Sequence, residues 1–254
     1  MAKTDGAAAA AREARRAFAA LLADAPALAA QLRDGYLDHV ERFVALLLDA
    51  NARINLTRVV APADVARLHL LDAVAALPLL DAAIGGPVVD LGSGGGVPAL
   101  PLALARPERA WTLVDSVAKK AVILRGFATA LGLRAVEVLA ERAETAGRDP
   151  RHREQYAVVT ARAVAPLAVL AELALPLLHV GGSLLAWKGP LGEEDDELRH
   201  GRAAIGRLGG GELRLVDPGL APLGGHRFVV VIKERRTPPP YPRRPGEPAR
   251  HPLG

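Results

Sequence analysis

The stretch VVDLGSGGGVP, Val88 to Pro98, decides how the chain reads. Two β-branched residues run into an acid, as at the end of a buried strand, and the glycines after it strip the backbone of side chains. Val97 and Pro98 then lead into the helix-like run ALPLALA. Strand, Gly-rich turn and helix in that order form the crevice where an open α/β sheet receives a nucleotide-like ligand. Gly92, Gly94 and Gly96 permit positive φ and a close main-chain approach, and the helix behind them offers free N–H groups.

The texture around this stretch is that of alternating strands and helices. WTLVD reads as a second strand, Ser116 to Leu131 as a helix, Ala135 to Ala140 as a third strand and Tyr156 to Ala163 as a fourth. PLAVLAELALPLL is the next helix, and Gly181 to Trp187 a fifth strand. Such alternation implies right-handed crossovers and a parallel sheet covered on both faces. GELRLVDPG and HRFVVVIKE are separated by a loop too short for a helical crossover, so they should pair antiparallel at one edge. The expected fold is therefore α/β: a mostly parallel, Rossmann-like sheet of seven strands with an antiparallel C-terminal edge. Upstream, apolar residues at three- and four-residue spacing mark helix from residue 7 to 50, broken near Pro26, and again from Pro62 to Leu80. This divides the chain into a helical extension packed on the core (1–80), a catalytic domain (81–236) and a basic, Pro-rich tail (237–254).

Composition narrows the chemistry. The chain has 254 residues and no cysteine, which excludes disulfides, thiolate metal sites and thiol nucleophiles. Its seven histidines show no ligand spacing, so no metal is expected. Acids or Gly-Pro breaks interrupt every apolar run, and the N-terminus lacks the apolar centre of a signal peptide, so a cytoplasmic protein without a membrane span is expected. The net charge is +4, and the segment from Lys233 onward carries six basic residues against two acids, the same excess. Prolines should keep that end extended, either as a solvated terminus or as an arm along a phosphate backbone. Folding back onto the body, a structural role, is a third option.

The loop also chooses between ligands. A dinucleotide fingerprint wants Gly or Ala where Val97 stands, and an acid facing a pyrophosphate would be repelled. Here the pattern is D-x-G-x-G-x-G, with Asp90 two residues before Gly92. An acid is attracted to a sulfonium and an α-amino group, which favours S-adenosylmethionine. Asp90 could also cap the loop's own amides. Asp115, ending the second strand, is placed to accept from a ribose hydroxyl pair.

Taken in order, NLT (55–57), HLLDA (69–73), DLGSGGGVPALPLAL, LVDSVAKK, ERAE (141–144), TARAVAPL (160–167), WKG (187–189) and YPRRPGEPARHPL resemble the RsmG/GidB family of bacterial ribosomal RNA methyltransferases. The resemblance implies a class I methyltransferase that uses S-adenosylmethionine to methylate nitrogen-7 of one guanine in 16S ribosomal RNA, free or within the 30S particle. It also implies cofactor contacts at Gly92, Val97, Ala143, Glu144 and Arg162, beside Asp90, Gly94 and Asp115. No catalytic residue is implied, because nitrogen-7 carries no proton. The chain departs from the family pattern at Leu68, Ala73 and Ala157.

Other residues read more plainly. Lys119 and Lys120 suit either RNA or a solvated helix face, His69 suits a packed helix position, and Glu193 to Glu197 opens a helix. Two different functions remain open: a non-enzymatic RNA-binding protein on a methyltransferase scaffold, and an NAD-binding oxidoreductase.

Overall fold

The computed structural model describes residues 2–254, with side chains from Gly6 onward. Seven strands form one sheet in the order β3-β2-β1-β4-β5-β7-β6. The first two, β1 (Val88–Leu91) and β2 (Trp111–Val114), are short, mostly apolar and buried throughout, as parallel strands covered on both faces must be. With β3 (Val136–Leu139), β4 (Tyr156–Arg162) and β5 (Leu178–Lys188) they make the parallel part. The chain leaves β1 toward β2 and β3, then returns to place β4 on its other side. The crevice at the carboxyl ends of β1 and β4 is therefore the topological switch point.

The antiparallel ending is present, with β7 (Arg227–Lys233) running between β5 and the outermost strand β6 (Gly210–Val216). Asp195 caps the helix before β6, accepting from the Glu197 amide at 2.9 Å, so the acid run does open a helix.

The N-terminal helices Ala2–Ala23 and Tyr36–Asn51 lie against this body, and the break between them runs wider than Pro26, to the left-handed Gly35. Phe18, Phe43 and Leu47 share one buried cluster with Leu100, Trp111 and Leu124. Gly95 of the loop sits under this cover: a Cβ there would meet Leu47 Cδ1 at 3.0 Å. The helices thus roof the crevice as well as stabilise it.

The stretch expected as one helix from Pro62 is broken up, with a π-helical segment over Val65–Leu71 between short α-helical pieces. A π turn loosens the ordinary ladder, and the Leu68 carbonyl instead accepts from Arg162 Nη1 at 2.6 Å.

The tail is not an extended arm. Glu172 is fully buried in an apolar helix, and a buried carboxylate requires a cation. Arg243 supplies it through Nε and Nη2, at 2.9 and 2.6 Å. Arg153 and Arg148 hold the carbonyls of Thr237, Tyr241 and Pro242, and Leu253 is buried. Lys233 is spent internally too, donating to Glu154 Oε1 at 2.8 Å and to two carbonyls. The charge excess counted at this end is thus partly consumed by the fold. Among the described residues no helix is long and apolar enough to cross a membrane.

Candidate active site

Three adjoining cavities lie along the carboxyl ends of the strands. The first, about 370 Å³, is lined by Gly92, Asp115, Lys120, Ala143, Glu144 and the tail residues Gly246, Pro248 and Ala249, among others. The second, about 190 Å³, lies over Gly92 to Gly95 and Val97, and reaches His69 and Arg162. The third, about 400 Å³, is walled by His69, Asp72, Arg162, Trp187, Lys188 and His226, with four others. Ala163 borders all three. Its φ of 56° puts a residue bearing a Cβ in the left-handed region, strain of about 1–2 kcal/mol that tertiary contacts must hold in place.

Asp115 shapes the loop. Its Oδ2 accepts from the Gly94 amide and its Oδ1 from the Val117 amide, both at 2.8 Å. Two carboxylate oxygens offer about four acceptor positions, so about two remain for a ligand hydroxyl pair. Gly94 has φ +52°, and a Cβ built there would meet only the Gly92 carbonyl, at 3.7 Å. The space over Gly94 is therefore left open by the protein itself.

Asp90 sits beneath the loop, not on a cavity wall. It is β1's neighbour of Thr160 on β4, whose hydroxyl donates to Oδ1 at 2.6 Å. Its Oδ2 is buried without a partner, and burial raises its pKa to about 6, against the pull of Thr160, Ser93 and Arg162. The acceptor positions left on Asp115 and the open space over Gly94 match a ribose and a chain lying along the loop, and the unpaired Asp90 oxygen beneath them disfavours a negative centre there. The residues present therefore suit S-adenosylmethionine.

The third cavity rests on a buried carboxylate. Asp72, 2% exposed, receives Arg162 Nη1 at 2.9 Å on Oδ2 and His226 Nδ1 at 3.0 Å on Oδ1. Its carbonyl accepts from Trp187 Nε1 at 2.9 Å, and Trp187 meets Phe228 edge to face. His69 bridges Thr57 and Arg162 through its two ring nitrogens. Burial and the Arg162 charge lower its pKa to about 4, so it is neutral at physiological pH.

A family model described as GidB, rRNA small subunit methyltransferase G, matches residues 37–215. The chain belongs to this family. It is 45% identical over 239 residues to a protein of Roseiflexus sp. (strain RS-1) named ribosomal RNA small subunit methyltransferase G, covering 92% of this chain and 98% of that one. A protein of the same name from Deinococcus deserti is 45% identical over 218 residues, 85% and 88% of the two chains. The fold is also that of the S-adenosylmethionine-dependent methyltransferase SibL, with TM-score 0.54, 17% identity and coverage of 80% and 70%. The expected class I fold, methyltransferase activity and S-adenosylmethionine cofactor accordingly stand, and neither a dehydrogenase nor a non-enzymatic binding protein is favoured.

Within the GidB site, Gly92, Asp115, Ala143 and Glu144 share the first cavity, while Gly92, Gly94, Val97 and Arg162 share the second. Arg162, expected among the cofactor contacts, gives Nη1 to Asp72. Glu144 likewise accepts from the Gly246 amide at 2.8 Å. Lys120 lies on the first cavity and Lys119 is solvated. The Asp72–His226 pair was invisible to sequence reasoning. The π turn that bends Leu68 toward Arg162 carries no obvious sequence signal.

Proposed function

We propose that this chain transfers a methyl group from S-adenosylmethionine to nitrogen-7 of a guanine in small-subunit (16S) ribosomal RNA, in the cytoplasm where that RNA is assembled. The adenosine would lie in the first cavity against Asp115, Ala143 and Glu144, and the amino-acid end over Gly92 to Val97. The third cavity would take the flipped guanine. The observation that carries this reading is the buried Asp72 carboxylate in a chamber that adjoins the glycine loop through His69, Arg162 and Ala163.

When bound, the cofactor supplies an electrophilic methyl group on a sulfonium. Nitrogen-7 has a lone pair in the ring plane and no proton, so the protein's task is positioning and electrostatics. Arg162 and His226 fix the Asp72 carboxylate, which keeps acceptor capacity for the N1–H and amino donors of guanine and would reject adenine, whose matching ring nitrogen only accepts. The same carboxylate offsets the positive charge that the base gains. Trp187 offers an apolar wall, and neutral His69 adds no competing cation. Mapping N7-methylguanine in ribosomal RNA from cells with and without this chain tests the reading. One guanine of the small-subunit RNA should lose its modification when the chain is absent, and an unchanged pattern would contradict it.

A further inference from the structure

The tail reaches the cofactor cavity. Gly246, Pro248 and Ala249 form part of the wall that faces Gly92, Asp115 and Ala143. The Gly246 amide donates to Glu144 Oε1 at 2.8 Å, tying the wall to the short helix after β3.

Arg243, three residues before this wall, is the tail's strongest attachment. Its amide and Nε donate to Glu172 Oε1 at 2.8 and 2.9 Å, its Nη2 to Oε2 at 2.6 Å, and Nη2 also reaches the His251 carbonyl at 2.7 Å. The Glu172 side chain has no exposure, whereas that of Arg243 retains 23%. The neighbouring Arg244 is exposed and shows none of these bonds. One arginine is thus committed to a buried charge on the body, and the wall hangs from it.

We propose that Gly246, Pro248 and Ala249 form a built-in wall of the nucleoside end of the cofactor pocket, and that Arg243, outside that wall, is the positioning residue that latches it. This rests on the first cavity holding the adenosine. The latch works through population: a pocket whose wall is seated only part of the time binds with affinity reduced by the seated fraction. Removing Arg243 leaves the buried Glu172 without its cation, a cost that favours lifting of the tail. The Gly246–Glu144 contact then loses its anchor. Of the three roles left open for this segment, the wall is a form of folding back onto the body.

The test measures S-adenosylmethionine and adenosine binding by calorimetry for the full-length parent, Arg243→Met, Arg243→Lys, Ala249→Trp and Arg244→Ala, with circular dichroism and melting as fold controls. Arg243→Met should weaken both ligands by a common factor of about ten or more, with Lys recovering part of the loss. Ala249→Trp leaves the latch intact and places bulk at the wall, so it should weaken both ligands without lowering the melting temperature. Arg244→Ala should match the parent. A parent that binds neither ligand would refute the placement of the cofactor itself. A parent that binds, with Arg243→Met and Ala249→Trp binding equally well, would overturn the wall alone. A melting shift for Arg243→Met with unchanged affinities would reduce the latch to a structural tie and likewise overturn the proposal.

Discussion

Replacing Asp90 by Asn removes a carboxylate whose ionisation the fold resists. Its pKa is raised to about 6 by burial, with one oxygen lacking any partner. In an unfolded chain an Asp titrates near ~3.9. Between those two values the folded protein holds a proton that the unfolded chain has released, so this group's contribution to stability declines as pH rises. It is fully present below about pH 4 and gone above about pH 6. About two pKa units at about 1.4 kcal/mol each make the whole change about 3 kcal/mol. Asn keeps an acceptor for Thr160 but does not titrate. Other carboxylates lose or gain protons in the same window, so the informative quantity is the difference between parent and variant. Urea unfolding without cofactor, at steps from about pH 4 to about 7.5, measures it. The parent's stability relative to Asp90→Asn should fall by about 2–3 kcal/mol across the lower part of that range and level off above about pH 6. A difference independent of pH would refute the claim that Asp90 is a strained, cation-seeking charge under the loop.

Three further outcomes follow from the site. Gly94→Val should cost about 1–2 kcal/mol through its left-handed backbone, leave a folded domain, and abolish cofactor binding, since the added side chain enters the open space over the loop; calorimetry on the folded variant checks it. Asp72→Asn should lower the single-turnover methylation rate by about 10²-fold while cofactor affinity changes little, because Arg162 and His226 lose the charge that they orient; equal losses in both would place Asp72 at the cofactor instead. With RNA saturating, the methylation rate should be flat from about pH 7 to 8.5, as nitrogen-7 needs no base and the Asp90 and His69 titrations, near pH 6 and 4, are complete by then. A rise of the rate in proportion to hydroxide would point to a general base.

How much of this was legible in the sequence follows from the range of the forces involved. The strands and the loop could be read locally: β-branched runs buried on both faces and glycines with positive φ are properties of a few adjacent residues. The antiparallel ending could be read from the length of one loop. The Asp72–His226 contact spans 154 residues and the Arg243–Glu172 latch spans 71, and a single sequence gives no pairing at such separations. Arg243 was therefore counted as a free charge when Glu172, hidden in an apolar helix, had already claimed it. Asp90 was legible as a residue but not as an environment, because its unpartnered oxygen depends on how Thr160 and the loop pack around it. The π segment at Val65–Leu71 escaped because its apolar spacing also satisfies an ordinary helix.

The most direct test of the central claim is methyl transfer from labelled S-adenosylmethionine to small-subunit ribosomal RNA, supplied free and as the assembled particle. Each is compared with the same RNA transcribed with 7-deazaguanine in place of guanine. The account expects label in one guanine of the ordinary RNA, released by chemistry specific for N7-methylguanine, and none in the 7-deaza RNA although it still binds. Label of equal extent in the 7-deaza RNA would contradict it, and would move the reacting atom away from nitrogen-7.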